Sequence, residues 1–269
     1  MRPHPAVRRG LSAFAAVMLV GSAAACGDDQ SPTHGPAEPS ADASVPPDGS
    51  AARADLAALA AAAEDHRFAA LYDYTAPGRD KRALVATVAR DGSWRVDVAK
   101  GALGGTADVA IVSNSQGVFQ CSLSSTANPV TPTCVRVADQ GERVPAEYDP
   151  KIERVFRQWL DVFTDRQSAL SVTATTPLKG SRGTCFSIDS ISASLSAAVD
   201  VGIYCYAADG LLTAARVESG TVRLAADPAP APATVPMPGP VVDGDAMGMA
   251  SPPPPPPEPS ASAASAPAA

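Results

Sequence analysis

Cysteine and histidine side chains do the most varied chemistry, and this chain has five of the first and three of the second. Cys121, Cys134, Cys185 and Cys205 lie in its central part. No two of them have the Cys-x-x-Cys spacing of a zinc site, and beyond residue 25 the histidines are His34 and His66 only. In an exported chain such cysteines form disulfides. Four cysteines allow three pairings. Cys121 with Cys134 and Cys185 with Cys205 is the expected one, because each pair flanks one short loop between two strand-like segments. Each bridge then stabilises the fold by about 3 kcal/mol. His66 follows Asp65 at the end of a helical stretch and reads as a helix-end or surface histidine rather than a base. With one histidine in the central part, a Ser/His/Asp arrangement has little to build on. There is no Gly-x-Ser-x-Gly elbow, no His-Glu-x-x-His and no phosphate loop. Asp28-Asp29 and Glu64-Asp65 read as solvated pairs, and Asp243-Gly244-Asp245 lacks the remaining positions of a calcium loop. The expectation is a protein without catalysis, metal or cofactor.

The fifth cysteine, Cys26, has a different setting. Arg2, Arg8 and Arg9 give a positive start, residues 11–20 are apolar apart from Ser12, and Gly21-Ser22-Ala23-Ala24-Ala25 leads into Cys26. This is the layout of an export signal. Its apolar stretch is too short for a spanning helix, which needs about 20 residues. Small residues ahead of Cys26 resemble the bacterial lipobox, although Ala23 stands where Leu is usual. The resemblance implies diacylglyceryl transfer to the Cys26 thiol and cleavage before it. The mature chain would then be anchored to the outer face of the cell membrane, since two or more acyl chains hold firmly where one does not. Arg8-Arg9-Gly10-Leu11 also partly resembles a twin-arginine signal, which leaves the export route open.

Loss of Arg2, Arg8 and Arg9 with the leader moves the formal charge from −7 to −10. An acidic surface excludes nucleic acid as a natural partner and argues against adhesion to anionic headgroups. Residues 26–50 read as a lipidated, disordered linker, with Pro32, Pro36, Pro39, Pro46 and Pro47 among small polar residues. Residues 228–269 hold more than half of the 27 prolines and read as a second disordered segment. One domain remains, at residues 51–227.

Within it, residues 51–66 are Ala-rich and predict a helix. Period-two segments follow at 68–76, 84–89, 94–98, 107–113, 118–123 and 134–138, with a hairpin turn at Asp91-Gly92 and another across 114–117. Residues 150–166 predict one amphipathic helix, N-capped by Asp149. Ile152, Val155, Phe156, Trp159, Leu160 and Phe163 form its apolar stripe; Lys151, Glu153, Arg154, Arg157 and Asp161 fall largely on the other side. Strands resume at 169–174, 184–188, 201–206, 211–217 and 221–226. About eleven short strands with tight turns make an antiparallel α+β fold, and a sheet of that width tends to curl.

The order of these elements, with Trp94-Arg95-Val96-Asp97-Val98, Gly117-Val118-Phe119-Gln120-Cys121, the helix at 150–166 and Tyr204-Cys205-Tyr206-Ala207-Ala208-Asp209-Gly210, resembles actinobacterial lipoproteins of the LolA-type carrier fold and the LppX/LprG lipid-binding group. That resemblance implies a strongly curved, incompletely closed antiparallel sheet with helices packed on its concave side and an apolar cavity between them. The cavity residues would be Val96, Val98, Ile111, Phe119, Phe156, Trp159, Phe163 and Ile203. The same residues also suit an ordinary closed core. The four paired cysteines depart from the carriers, which must open. The expected function is binding of lipid or another apolar ligand in the cell envelope. The alternative is a structural or sensory module that binds an envelope protein or cell-wall polymer, with the Pro-rich tail as a reaching arm.

Overall fold

The computed structural model describes residues 49–191 and 199–251. The leader at 1–25, the Cys26 anchor, nearly all of the 26–50 linker and residues 252–269 of the tail lie outside the described residues. What is described is α+β: one open antiparallel sheet and two helices. Helix α1 spans Gly49–Asp65 and α2 spans Leu160–Thr164. The strands are β1 (Phe68–Thr75), β2 (Arg82–Val88), β3 (Trp94–Ala102), β4 (Ala107–Asn114), β5 (Gly117–Leu123), β6 (Cys134–Ala138), β7 (Leu170–Thr175), β8 (Thr184–Ser190), β9 (Gly202–Tyr206), β10 (Leu212–Val217), β11 (Gly220–Leu224) and the two-residue β12 (Ala229–Pro230).

The spatial order is β6-β5-β4-β3-β2-β1-β11-β10-β9-β8-β7, with β12 also on β1. Two meanders therefore meet at one seam, where Tyr72 pairs with Leu224 and Tyr74 with Val222. Turn chemistry sets the registers. Asp91 Oδ1 accepts from the Ser93 amide at 2.9 Å while Gly92 takes a φ of 86°, a conformation that suits glycine. Asn114 Oδ1 accepts from the Gln116 amide at 2.8 Å in the β4–β5 turn.

Alternation sorts the strand residues onto two faces. One face carries Tyr72, Leu84, Val96, Val98, Val109, Phe186, Ile188, Tyr204 and Val222, and these pack with α1 and with the apolar stripe of residues 152–163 in a single core. Phe163 meets Tyr204 edge-on at 5.2 Å, and Tyr72 meets Phe156 at 4.9 Å. The opposite face carries two smaller clusters, one around Phe119, Cys121 and Cys134, the other around Cys185, Cys205 and Ala214.

Two expectations need correction. The helix at 150–166 is not continuous. Ile152–Phe156 is a 3-10 turn, Arg157 leaves helical geometry at φ −136°, and helix resumes only at Leu160. Asp149 does not cap a regular first turn: its Oδ1 accepts from the Lys151 amide at 2.5 Å, with Lys151 at φ 64°. All six stripe residues are nevertheless buried. Hydrophobic spacing fixed which side chains turn inward, and backbone hydrogen bonding gave way to let them do so.

The second correction concerns residues 228–251, expected to be solvated. They form a strap. It pairs with β1, passes the β2–β3 turn through Arg90 N–Pro232 O (3.0 Å) and Asp91 N–Ala233 O (3.1 Å), and buries Val235. It then adds a parallel bridge to edge strand β6 at Cys134–Val241. Beyond that edge the Gln120 side chain binds Met247 through both N–H and C=O, at 2.6 and 2.8 Å. The strap ends on Leu103 and Gly104, whose amides donate to Gly248 O and Met249 O at 2.9 Å each.

Candidate functional site

The cysteines pair as their spacing suggested. Cys121–Cys134 and Cys185–Cys205 each join directly opposed residues of neighbouring strands, with Cα atoms 4.0 Å apart.

The eight residues expected to line one cavity do not gather around one. Val96, Val98, Phe156, Trp159 and Phe163 belong to the main core. Ile111 packs with Val118 and Val144 in an extension of the same face. Phe119 lies on the opposite face under the strap, and Ile203 lies at the margin of the Cys185–Cys205 cluster. Between the helices and the sheet, space is taken by large side chains that are almost wholly buried, among them Tyr72, Tyr204, Tyr206, Phe163 and Phe186. His66 is 4.0 Å from Asp209 and beside Phe68, away from any cleft described below.

A different site emerges at one end of the helix-bearing face. Trp94 opens β3 and faces the same way as Val96 and Val98, but it sits where the sheet runs out. Around it lie two adjoining lobes. The inner lobe, about 440 Å³, is walled by Glu153, Arg154, Arg157, Gln158 and Asp161 of the broken helical segment, by Glu64 of α1, and by Glu142, Arg143 and Val144 of the β6–α2 connection. The outer lobe, about 690 Å³, lies among the β2–β3 turn, the β4–β5 turn at 114–116, Gln140 and Gly141, and Thr234 of the strap. Trp94, Ser113, Gly141 and Arg157 border both. Volumes of this size suit a small-molecule or oligomer ligand.

The break in the helix produces the inner lobe's charge pattern. Asp149 accepts from Arg154 Nε at 2.7 Å and from its Nη2, and Arg154 Nη1 is 3.7 Å from Asp200. Its guanidinium also lies over the Trp159 ring at 5.8 Å, with Arg143 over the same ring at 5.1 Å. Burial pulls the Arg154 pKa down, but Asp149 and its neighbours outweigh this and the net direction is up. Glu153, expected on the solvent side, is only 3 % exposed. Burial first and the adjacent Asp149 carboxylate second raise its pKa well above 4.5. Among the described residues Glu153 Oε2 meets no donor, so a retained proton shared with Asp149 is the economical state. Arg157 is pulled down by burial and by Arg67, and donates to Glu64 O at 2.9 Å. Burial raises the Glu64 pKa, with Asp161 adding to it.

In the inner lobe Arg154 is thus held by Asp149 and Asp200 and Arg157 by a carbonyl, whereas the outer lobe is lined mostly by amides and hydroxyls around an indole, with Asp91 and Arg157 beside them. Among the described residues no three His, Cys, Asp or Glu side chains converge as metal ligands, and no helix is long and apolar enough to cross a membrane. No family model matches the chain, and no curated protein is detectably similar to it.

Proposed function

We propose that this is a non-catalytic binding domain of the cell envelope, tethered to the outer face of the cell membrane through lipid on Cys26, whose ligand lies in the cleft around Trp94. The observation that carries this reading is the cleft itself: two adjoining lobes sharing one half-buried aromatic, walled by three separate turns, the broken helix and the strap. The export signal and lipobox-like run before Cys26 support the location. An acidic chain favours an envelope polymer or protein over nucleic acid. In this reading the sheet curves about the helices, which close its hollow as they do in the LolA-type fold.

The test is co-sedimentation of the full chain with purified, insoluble cell-envelope polymer. Trp94→Ala should weaken retention about tenfold, the scale of a central aromatic contact. Trp94 also packs on the core, so the exposed pair Gln116→Ala/Gln140→Ala serves as a second variant that leaves the fold intact. Retention unchanged in both would remove the cleft from the account.

Binding of an acyl chain is the second reading. Its support is that Met247 and Met249 of the strap are only partly buried against the main core and are the kind of side chain that repacks around a ligand. Native mass spectrometry of the full chain should then find a lipid adduct, and a consistently ligand-free protein that takes up no fluorescent acyl probe would end that reading.

A further inference from the structure

We infer that the outer lobe of the Trp94 cleft binds a neutral oligosaccharide chain; the inference rests on the cleft reading above and gives its ligand a chemical class. A pyranose ring offers two kinds of surface: a face of C–H groups and a rim of paired hydroxyls. The first is matched by a flat aromatic ring, the second by planar amides that donate and accept side by side. Both are present here. Trp94 borders both lobes, and Gln116 and Gln140 line the outer lobe from two different turns, with hydroxyls from Ser113 and Thr234. Gln116 and Gln140 are exposed, and their side-chain amides bond to nothing among the described residues.

Other ligand classes fit less well. For a polyanion the outer lobe offers one cation among the described residues, Arg157, and that guanidinium already donates to the carbonyl of Glu64. Asp91, on the lip of the outer lobe, would repel it. For an acyl chain the outer lobe offers Trp94 as its one large apolar surface. For an extended peptide joining the sheet, the required feature is a strand edge, yet the lobe is built on strand ends and turns, and edge strand β6 is already bridged by Val241.

The experiment uses the ¹⁵N-labelled full chain in a zwitterionic detergent without sugar groups. The chain has two tryptophans and hence two indole N–H resonances. The probes are chitotetraose, cellotetraose and maltotetraose, with inorganic polyphosphate and an unrelated hexapeptide as the competing classes. At least one tetrasaccharide should shift the Trp94 indole and the Gln116 and Gln140 side-chain amides, leaving the indole of buried Trp159 in place. The Gln116→Ala/Gln140→Ala chain should bind it about tenfold more weakly. No shift with any tetrasaccharide, or shifts with polyphosphate or peptide alone, would overturn the glycan assignment. In that event, envelope retention that is still lost on the same double substitution would leave the cleft reading standing, and retention that persists would end both.

Discussion

The two disulfides lie one in each meander, Cys121–Cys134 across the edge pair β5–β6 and Cys185–Cys205 across β8–β9, one strand in from the edge; both are on the face away from the helices, yet they are covered by different kinds of chain. Over Cys185–Cys205 lies Leu178, from the loop that leads directly into β8, held by Thr213 through Arg182 at 2.7 and 3.2 Å. Over Cys121–Cys134 lie Val235 and Met237, roughly a hundred residues further along the chain. One cover is local and forms with its hairpin. The other arrives from a distance, and nothing in the hairpin's own sequence announces it. All four cysteines are equally buried, so buried area alone does not say how a surface comes to be covered.

The largest expected effect separates the two covers outright. A chain ending at Asp227 loses the Val235 contact, the Gln120–Met247 pair and the edge bridge at Cys134. Apolar burial and several hydrogen bonds together put the cost on the order of 5 kcal/mol, measurable by urea unfolding. Under mild reductant, Cys121–Cys134 should open first in that chain; equal rates at the two bridges would show that the strap does not protect its own. Removing the bridges one at a time comes next. Cys121→Ala/Cys134→Ala and Cys185→Ala/Cys205→Ala should each cost about 3 kcal/mol. The first should be non-additive with strap removal and the second additive, as a double-mutant cycle would report. Smaller again is Val235→Asp, which places a carboxylate at a buried position under the strap and should cost about 2–3 kcal/mol. A loss well under 1 kcal/mol would mean that the strap lifts freely.

The smallest effect concerns the other face. The raised Glu153 pKa means that the folded chain holds this proton more tightly than the unfolded one. The resulting stability is complete below about pH 4.5 and is lost as pH rises through the folded-state value. Glu153→Gln removes that loss. It should raise stability at neutral pH by on the order of 1 kcal/mol and flatten the dependence of Tm on pH above 4.5. An unchanged slope would place the proton elsewhere.

The same contrast explains what could be read in the sequence. Strands with period two and tight Asp-Gly or Asn-initiated turns were legible, as were both disulfides, because they are local. The first strand expected at 68–76 ends at Thr75, and the helix at 51–66 begins at Gly49. The stripe from Ile152 to Phe163 correctly marked the buried side chains, but spacing carries no information about a break at Arg157, and so Glu153 was misplaced. The strap was missed because Pro, Ala and Gly have no period, and its hold on the domain is mostly through backbone groups. The Trp94 cleft was missed for a related reason: its amides belong to turns that are far apart in sequence, and only the strand order brings them together.

That strand order has a consequence for assembly. Among the described residues, apart from the Tyr72–Leu224 seam, the short β12 beside it and the strap's bridge to β6, every pairing joins strands that follow one another in the chain. The entropy of closing a long loop is therefore concentrated at the seam and at the strap that follows it, while each half can zip up from its own hairpins. A cut in the backbone between residues 138 and 152 would leave both halves with all their internal pairings. The two pieces should find each other again in solution, with the rate set by how fast β1 meets β11 and the strap seats on the first half.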